Sequence, residues 1–266
     1  MGAVRTISTK LQAASSTWND VGGDFLGSCR REQQTNPALA DCVLEKQASD
    51  GIAALNGTLS SYFKALGDAA ADTSFTVQPG LDKATASAAK IPGIDANQVK
   101  AVSGLVGLLA RLATESMRES TVSSLIDDGA PHARTLVDAL NRLVVANLTS
   151  RLVTERTQLI GRAHSEISSG PNASLPLDTL CKGSNAAGLN GAEYLLALEF
   201  CRRLDVVDGR LKALDDYKAS LLKADAALAE LQSNKTKLKG KALLASLYKL
   251  GTDLDASIGA VRKAFD

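Results

Sequence analysis

Four cysteines are the residues whose chemistry this sequence predicts most directly. Cys29 and Cys42 are separated by 12 residues, and Cys181 and Cys201 by 19. Pro37 lies inside the first interval and a glycine- and asparagine-rich stretch lies inside the second, so each pair brackets a turn. A disulfide that closes a loop of about 15 residues contributes roughly 3 kcal/mol. We therefore predict the bonds Cys29–Cys42 and Cys181–Cys201, with four buried free thiols as the alternative. Disulfides would place the chain in an oxidising compartment.

The other reactive side chains do not form a pattern typical of a metal site or an active site. The cysteines lack the CxxC-type spacing of zinc ligands. A di-iron helical bundle needs a glutamate three residues before each histidine, but Gly129 precedes His132 and Gly161 precedes His164. The chain also lacks a nucleophile elbow, a phosphate loop and a dinucleotide-binding fingerprint. The sequence therefore predicts no enzyme, no cofactor and no metal.

Composition narrows the class of partner. The chain has 266 residues, of which 45% are hydrophobic and only 4% aromatic, and its net charge is +1 with acids and bases mixed along its length. That balance gives no electrostatic footprint for nucleic acid or for an anionic membrane. The most apolar stretch, residues 99–113, contains Arg111 and is too short for a membrane span. We expect a protein partner, no nucleic acid and no transmembrane span.

The spacing of apolar residues predicts long helices. Steps of three and four place side chains along one side of a helix. One such stripe predicts a helix over residues 192–232, about 60 Å long at 1.5 Å per residue, and consists of Leu204, Val207, Leu211, Leu214, Tyr217, Leu221, Ala224, Leu228 and Leu231. The predicted fold is all-α: a single elongated antiparallel bundle over residues 1–266, without a β-sheet of consequence.

Glycine, proline and helix-capping residues predict where the other helices begin and end. We expect helices over residues 4–31, 37–71 and 81–90, and a helix capped by Asp95 that ends near Asp127. Gly129, Ala130 and Pro131 predict a tight turn or a kink before a helix that runs to Ser168. Gly240 marks a hairpin or a bend before a final amphipathic stretch. The stripe of the Asp95-capped helix is Val99, Val102, Leu105, Leu109 and Leu112.

Two segments are predicted to be irregular, residues 72–94 and 169–190. Both hold apolar residues without helical spacing, and loops on a rigid scaffold often carry function. One hypothesis is that one of these segments forms a recognition surface for a protein partner. The alternative is that the apolar residues plug the ends of the bundle. The candidate partner-binding residues are Phe75, Val77 and Ile91 in the first segment and Leu175, Leu177 and Leu180 in the second.

Signals for export and modification are sparse. The polar opening residues contain no signal peptide, as expected of a mature domain whose signal segment is absent. Four Asn-x-Ser/Thr sequons occur, at Asn56, Asn147, Asn172 and Asn234. They indicate glycosylation only in a eukaryotic secretory protein.

A resemblance adds to this interpretation. The stretch LSSYFKALGDAAA at residues 59–71, the Ile91-Pro92-Gly93 break and the stretch from Val102 to Val145 resemble a group of uncharacterised bacterial envelope proteins. The resemblance implies a helical bundle in the periplasm, and it carries no activity and no functional residues. The cysteine that bears the lipid in such proteins is absent from this chain, so a lipid anchor would belong to a segment ahead of it. The alanine-rich paired helices, local cysteine pairs and sequons are also similar to the three-helix surface receptors of trypanosomes.

Together these observations favour a non-enzymatic helical bundle of the periplasm or cell surface. Its expected role is protein binding or structural spacing. The alternatives are a eukaryotic parasite surface receptor with a ligand-binding head and an enzyme of unrecognised type.

Overall fold

The fold is helical wherever the structure describes it. The computed structural model describes residues 27, 29–31, 42–70, 81–114, 123–167, 180–181, 189 and 191–234. Those ranges contain no strand, which confirms the predicted all-α class. The helices are α1 (Val43–Ala70), α2 (Ala84–Ala88), α3 (Ala96–Thr114), α4 (Ala130–Leu140), α5 (Asn147–Ile167) and α6 (Gly191–Asn234), and a 3₁₀ turn, Leu81–Lys83, precedes α2.

Several sequence predictions fall outside the described ranges. They are the helix over most of residues 4–31, the start of the 37–71 helix, and the Gly240 hairpin or bend with the stretch that follows it. Of the two segments predicted to be irregular, residues 72–80 of the first and all but residues 180, 181 and 189 of the second also lie outside these ranges.

The prediction that the Asp95-capped helix ends near Asp127 is wrong. Arg111 Nη2 lies 3.4 Å from Asp128 Oδ2, whereas residues 17 positions apart on a single helix would be about 26 Å apart.

Helix α3 begins with the predicted cap. The Gln98 backbone N–H donates to Oδ1 of Asp95 at 2.9 Å, and the Asp95 backbone N–H donates to Oε1 of Gln98 at 3.0 Å. This reciprocal pair satisfies two donors at the start of the helix. The turn before it contains Gly93 with a φ of 86°, a conformation that favours glycine. Four predicted stripe residues are buried, namely Val102, Leu105, Leu109 and Leu112.

Residues 123–167 form one continuous helical rod rather than two helices separated by a break at Gly129. The rod contains two wider, π-helical turns, Leu125–Gly129 and Asn141–Ala146. Pro131 explains the first turn, because it has no N–H to donate to the carbonyl four residues earlier and its ring crowds that carbonyl. The chain absorbs this defect by widening the helix, so the predicted turn or kink becomes a π turn.

Helix α6 runs antiparallel to the rod. Two ion pairs show the direction: Arg134 Nε lies 2.7 Å from Asp225 Oδ1, and Arg156 Nε lies 2.7 Å from Asp208 Oδ1. Higher residue numbers on the rod therefore meet lower numbers on α6. The 44 residues of α6 extend about 66 Å at 1.5 Å per residue, so it passes the whole rod.

Helix α1 packs antiparallel to the rod as far as Arg151, and α3 packs antiparallel to the start of the rod, where Arg111 pairs with Asp128. The buried Tyr62 hydroxyl donates to the Leu125 carbonyl at 2.9 Å, and farther along α1, Glu45 pairs with Arg151. A Cβ atom on Gly129 would lie 2.6 Å from the Tyr62 ring, so only glycine allows α1 to come this close.

The apolar core is thick at one end and thin at the other. The larger cluster joins α1, α2, α3 and α4 to the first part of α5 and the second half of α6. The smaller cluster, called the stem core below, joins only the end of α5 to the start of α6. Among the described residues, the stem core consists of Ala163, Ile167, Ala197, Phe200 and Leu204, with Leu180, Cys181 and Cys201 packed against it.

Candidate functional site

Both predicted disulfides are present. The Cα atoms of Cys29 and Cys42 are 6.0 Å apart, and those of Cys181 and Cys201 are 5.3 Å apart. Both distances are ordinary for disulfides. None of the four cysteines is a free thiol. The pairing read from the sequence is therefore the pairing of the structure.

Each disulfide lies beside a junction between helices. Near the first bond, Arg31 Nε lies 3.0 Å from Oε1 of Glu155, and Arg151 lies 2.6 Å from Glu45. These two ion pairs connect the start of α1 and the residues before it to the middle of α5. The second bond, Cys181–Cys201, holds Leu180 and Cys181 against the stem core. The bonds thus hold the segments that enter α1 and α6.

Two of the six candidate partner-binding residues are described, and both contact the core. Ile91 is 5% exposed, and its side chain fills the space over Gly51 on α1. Leu180 is half-buried against the stem core. Phe75, Val77, Leu175 and Leu177 lie outside the described residues, so a role in binding stays a prediction for them.

The histidines occupy separate places. His132 lies over Gly104, where an added Cβ would approach Nε2 to 2.5 Å, and so its ring covers the backbone of α3. His164 is exposed on α5. Over the described ranges, no three His, Cys, Asp or Glu side chains are grouped closely enough to hold a metal ion.

A polar cluster lies buried between α1 and α6. Asn56 on α1 and Ser220 on α6 are each at most 1% exposed, and Tyr217 lies one turn before Ser220. Burial raises the pKa of the Tyr217 hydroxyl well above its usual value, and the neighbouring Asn56 side chain opposes part of that rise. The phenol is therefore neutral at physiological pH. Buried polar groups of this kind fix the alignment of neighbouring helices when they are paired.

A groove of about 530 Å³ lies on the surface between α4 and α6. Its base includes the buried Val137 and Leu221, while Leu222 is 53% exposed at its side. Both polar and apolar side chains are therefore available to a bound molecule. The remaining lining residues are Pro131, Arg134, Thr135, Asp138, Asn141, Asp225 and Gln232.

An ion pair crosses this groove. Arg134 Nε and Nη2 lie 2.7 and 3.2 Å from the two carboxylate oxygens of Asp225, which makes the pair bidentate. The hydrogen bond that Arg134 donates to Asp225 raises the pKa of Arg134, so the guanidinium stays charged at every physiological pH. Both side chains are more than a third exposed, so the ion pair contributes little to the stability of the fold. Its main effect is to hold the guanidinium and the carboxylate in fixed directions in the groove.

Sequence reasoning missed this groove. Arg134 and Asp225 are 91 residues apart, and no local spacing indicates that they meet. The sequence held only an indirect signal. Leu221 belongs to the buried stripe of α6, and the next residue, Leu222, lies on a different side of the helix, where a leucine is exposed.

No helix in the described ranges has a stretch that is both long enough and apolar enough to cross a bilayer. No family model, curated protein or solved structure matches this chain.

Proposed function

We propose that this chain is a non-enzymatic component of the cell envelope that binds a protein partner in the groove between α4 and α6. The groove carries the proposal because it combines a concave surface of about 530 Å³, a half-exposed leucine and an oriented ion pair. Its central charged feature is a guanidinium paired with a carboxylate, which suits recognition, rather than a nucleophile paired with a base.

The disulfides support an envelope location. Such bonds persist in oxidising compartments such as the periplasm and the cell surface, and they are rare in the cytosol. Both bonds of this chain staple segments that enter long helices, where they limit the freedom of the unfolded chain. An envelope protein gains from this restriction because the compartment preserves the bonds.

The sequon at Asn56 favours a bacterial periplasm over a eukaryotic surface. Asn56 is 0% exposed and lies beside the buried Tyr217 of α6. A glycan on that side chain could not be accommodated without opening the core around it. A chain that carries this asparagine in its core is therefore better suited to a compartment without general N-glycosylation. Asn147, the sequon asparagine at the start of α5, is exposed.

The shape and chemistry of the groove fit an amphipathic helix of the partner. Two neighbouring helices of this chain form its walls, and a third helix can lay its apolar side chains between them. Leu222 and Pro131 offer apolar contact at the groove, while Arg134 and Asp225 offer hydrogen bonds of fixed direction. A structural spacer, the other role expected from the sequence, would not require such a groove.

Substitution in the groove tests the proposal. The wild-type protein, a Leu222→Asp variant and a Val153→Asp variant should each be used to capture proteins from native envelope extract. Leu222→Asp places a charge in the groove and should reduce partner recovery at least about tenfold, equivalent to roughly 1.4 kcal/mol or more. Val153, which is 47% exposed on α5, is the matched control and should leave recovery unchanged.

Both replaced side chains are exposed, so the melting temperatures of the two variants should stay close to that of the wild type. Equal recovery of a partner by all three proteins would contradict binding in the groove. Recovery of no specific partner by the wild type would support the spacer role.

A further inference from the structure

The first half of α6 has apolar side chains on two opposite faces. One face packs in the core through Ala197, Phe200, Leu204 and Val207, which follow steps of three and four. The opposite face also carries large apolar residues, yet they are exposed: Leu195 is 67%, Leu198 48% and Val206 43% exposed. A helix beside a single neighbour needs only one apolar face. The exposed face of α6 is therefore a candidate contact surface for a further helix.

The exposed face has a regular pattern. Ala192, Leu195, Leu198, Arg202, Val206 and Gly209 are separated by steps of three or four, so they form one stripe, called the outer stripe below. Singly scattered exposed leucines are normal on protein surfaces. A continuous stripe along about 26 Å of one helix is different, because it matches the pattern of a helix–helix contact.

The outer stripe is also complementary to itself. Its midpoint lies between residues 200 and 201. When the helix is reversed about that point, Leu195 falls opposite Val206, Ala192 falls opposite Gly209, and Glu199 falls opposite Arg202. Toward the ends of the stripe, apolar residues thus meet apolar residues and small residues meet small residues. At its centre an acid meets a base, and Leu198 falls opposite Arg203. A two-fold symmetric contact requires this kind of self-matching surface.

We propose that the outer stripe is the contact between two copies of this chain, with their α6 helices packed antiparallel about a two-fold axis near residues 200 and 201. The pairing adds the α5 and α6 ends of a second copy to those of the first. Among the described residues, the two helices that form the stem then become part of a four-helix bundle, and the exposed leucines of each copy are removed from water.

Charges at the centre of the stripe support this arrangement. Within one copy, Arg202 Nε lies 3.1 Å from Oε2 of Glu199, and Arg203 Nε lies 2.7 Å from Oε1 of the same carboxylate. Hydrogen bonds from Arg202 and Arg203 lower the pKa of Glu199 to about 2. The carboxylate is therefore ionised at neutral pH and available to the opposing Arg202, whose side chain is 73% exposed.

The size of the contact sets the expected affinity. A standard stable interface buries about 1,600 Å² in total. One helix pair about 26 Å long is smaller than that, so dimerisation should depend on protein concentration. Because exposed charges lie at its centre, the dimer should also weaken as salt increases.

Sedimentation equilibrium of the oxidised full chain tests the proposal. The wild type should show a monomer–dimer equilibrium. Leu195→Asp, which places a carboxylate opposite Val206, and Glu199→Arg should each raise the dimer dissociation constant at least about tenfold. The double variant Glu199→Arg/Arg202→Glu reverses both charges and should recover most of the wild-type affinity. Val153→Asp, outside the stripe, is the control and should dimerise as the wild type does.

Circular dichroism should show unchanged helicity for each variant, because the replaced side chains are exposed. A wild-type protein that remains monomeric up to about 1 mM, where the dimer would have only roughly 4 kcal/mol of binding free energy, would overturn the proposal. So would a dimer that Leu195→Asp and Glu199→Arg leave intact.

A cross-link map provides a readout that does not depend on these variants. A photo-reactive amino acid at position 195 should cross-link to residues near Val206 of another copy. Mixing isotopically heavy and light chains distinguishes cross-links between copies from those within one copy. Cross-links between copies that join position 195 to position 195 would indicate a parallel pair and would contradict the antiparallel arrangement.

Discussion

Removing both disulfides is expected to lower the free energy of unfolding by about 6 kcal/mol, roughly 3 kcal/mol for each bond, because each bond restricts the unfolded chain. The bonds join residues 13 and 20 positions apart, so their individual effects should be similar. A folded domain is typically stable by about 5–15 kcal/mol. The reduced protein should therefore melt well below the oxidised protein, or fail to fold at physiological temperature.

Denaturant unfolding of four proteins measures this effect: the wild type, Cys29→Ala/Cys42→Ala, Cys181→Ala/Cys201→Ala, and the variant with all four replacements. Each double variant should lose about half of the total. Mass mapping of the unreduced wild type should recover Cys29 linked to Cys42 and Cys181 linked to Cys201. Four alkylatable thiols, or crossed pairing, would contradict the structure.

A single methyl group on α1 should also have a large effect. Gly51→Ala is expected to lower the free energy of unfolding by about 1–3 kcal/mol, as overpacking of a core does. The new Cβ would lie 2.1 Å from Cγ1 of Ile91 and 3.0 Å from the Ser87 carbonyl oxygen. The Ile91 side chain can move, whereas the Ser87 carbonyl belongs to the backbone of α2. Chemical denaturation measures the loss.

Gly57→Ala is the matched control, because it lies on the same helix and its Cβ would meet nothing within 4 Å. That variant should gain about 0.5–1 kcal/mol, since alanine is a better helix former than glycine. Combining Gly51→Ala with Ile91→Ala should cost less than the sum of the two single changes, because each change removes part of the other's penalty. Additive losses would show that Ile91 does not fill the space over Gly51.

Local patterns in the sequence predicted the features of the fold that depend on local chemistry. The buried stripe of α3 and its Asp95 cap are examples, because helical spacing and capping involve residues only three or four positions apart. The cysteine pairs also lay close together in sequence. The long α6 helix was placed at residues 192–232 and is observed at Gly191–Asn234 for the same reason.

Features that depend on tertiary contact could not be predicted in this way. The Gly129–Pro131 stretch reads as an interruption, but packing of Tyr62 against Gly129 and the Leu125 carbonyl fits a continuous rod with a π turn. Burial of Asn56 depends on its position opposite Tyr217, about 160 residues later in the chain. A sequon has the same letters at the surface and in the core.

The candidate partner site shows the same limit. Ile91 lacks helical spacing, which made it a candidate for recognition, yet it packs over Gly51. The groove between α4 and α6 was not predicted, because its two walls come from segments about 90 residues apart. The sequence predicted that both walls of the groove are helical. Sequence spacing does not specify which helix surfaces face each other.

Photo-cross-linking from the groove in the native envelope tests the central proposal most directly. A photo-reactive amino acid at position 222 should link the chain to one protein partner, and mapped peptides should place an amphipathic helix of that partner against the groove. The same probe at position 153 is the control and should not give this product. Efficient cross-linking to the partner from position 153 but not from position 222, or no partner product from either position, would contradict the groove as the binding site.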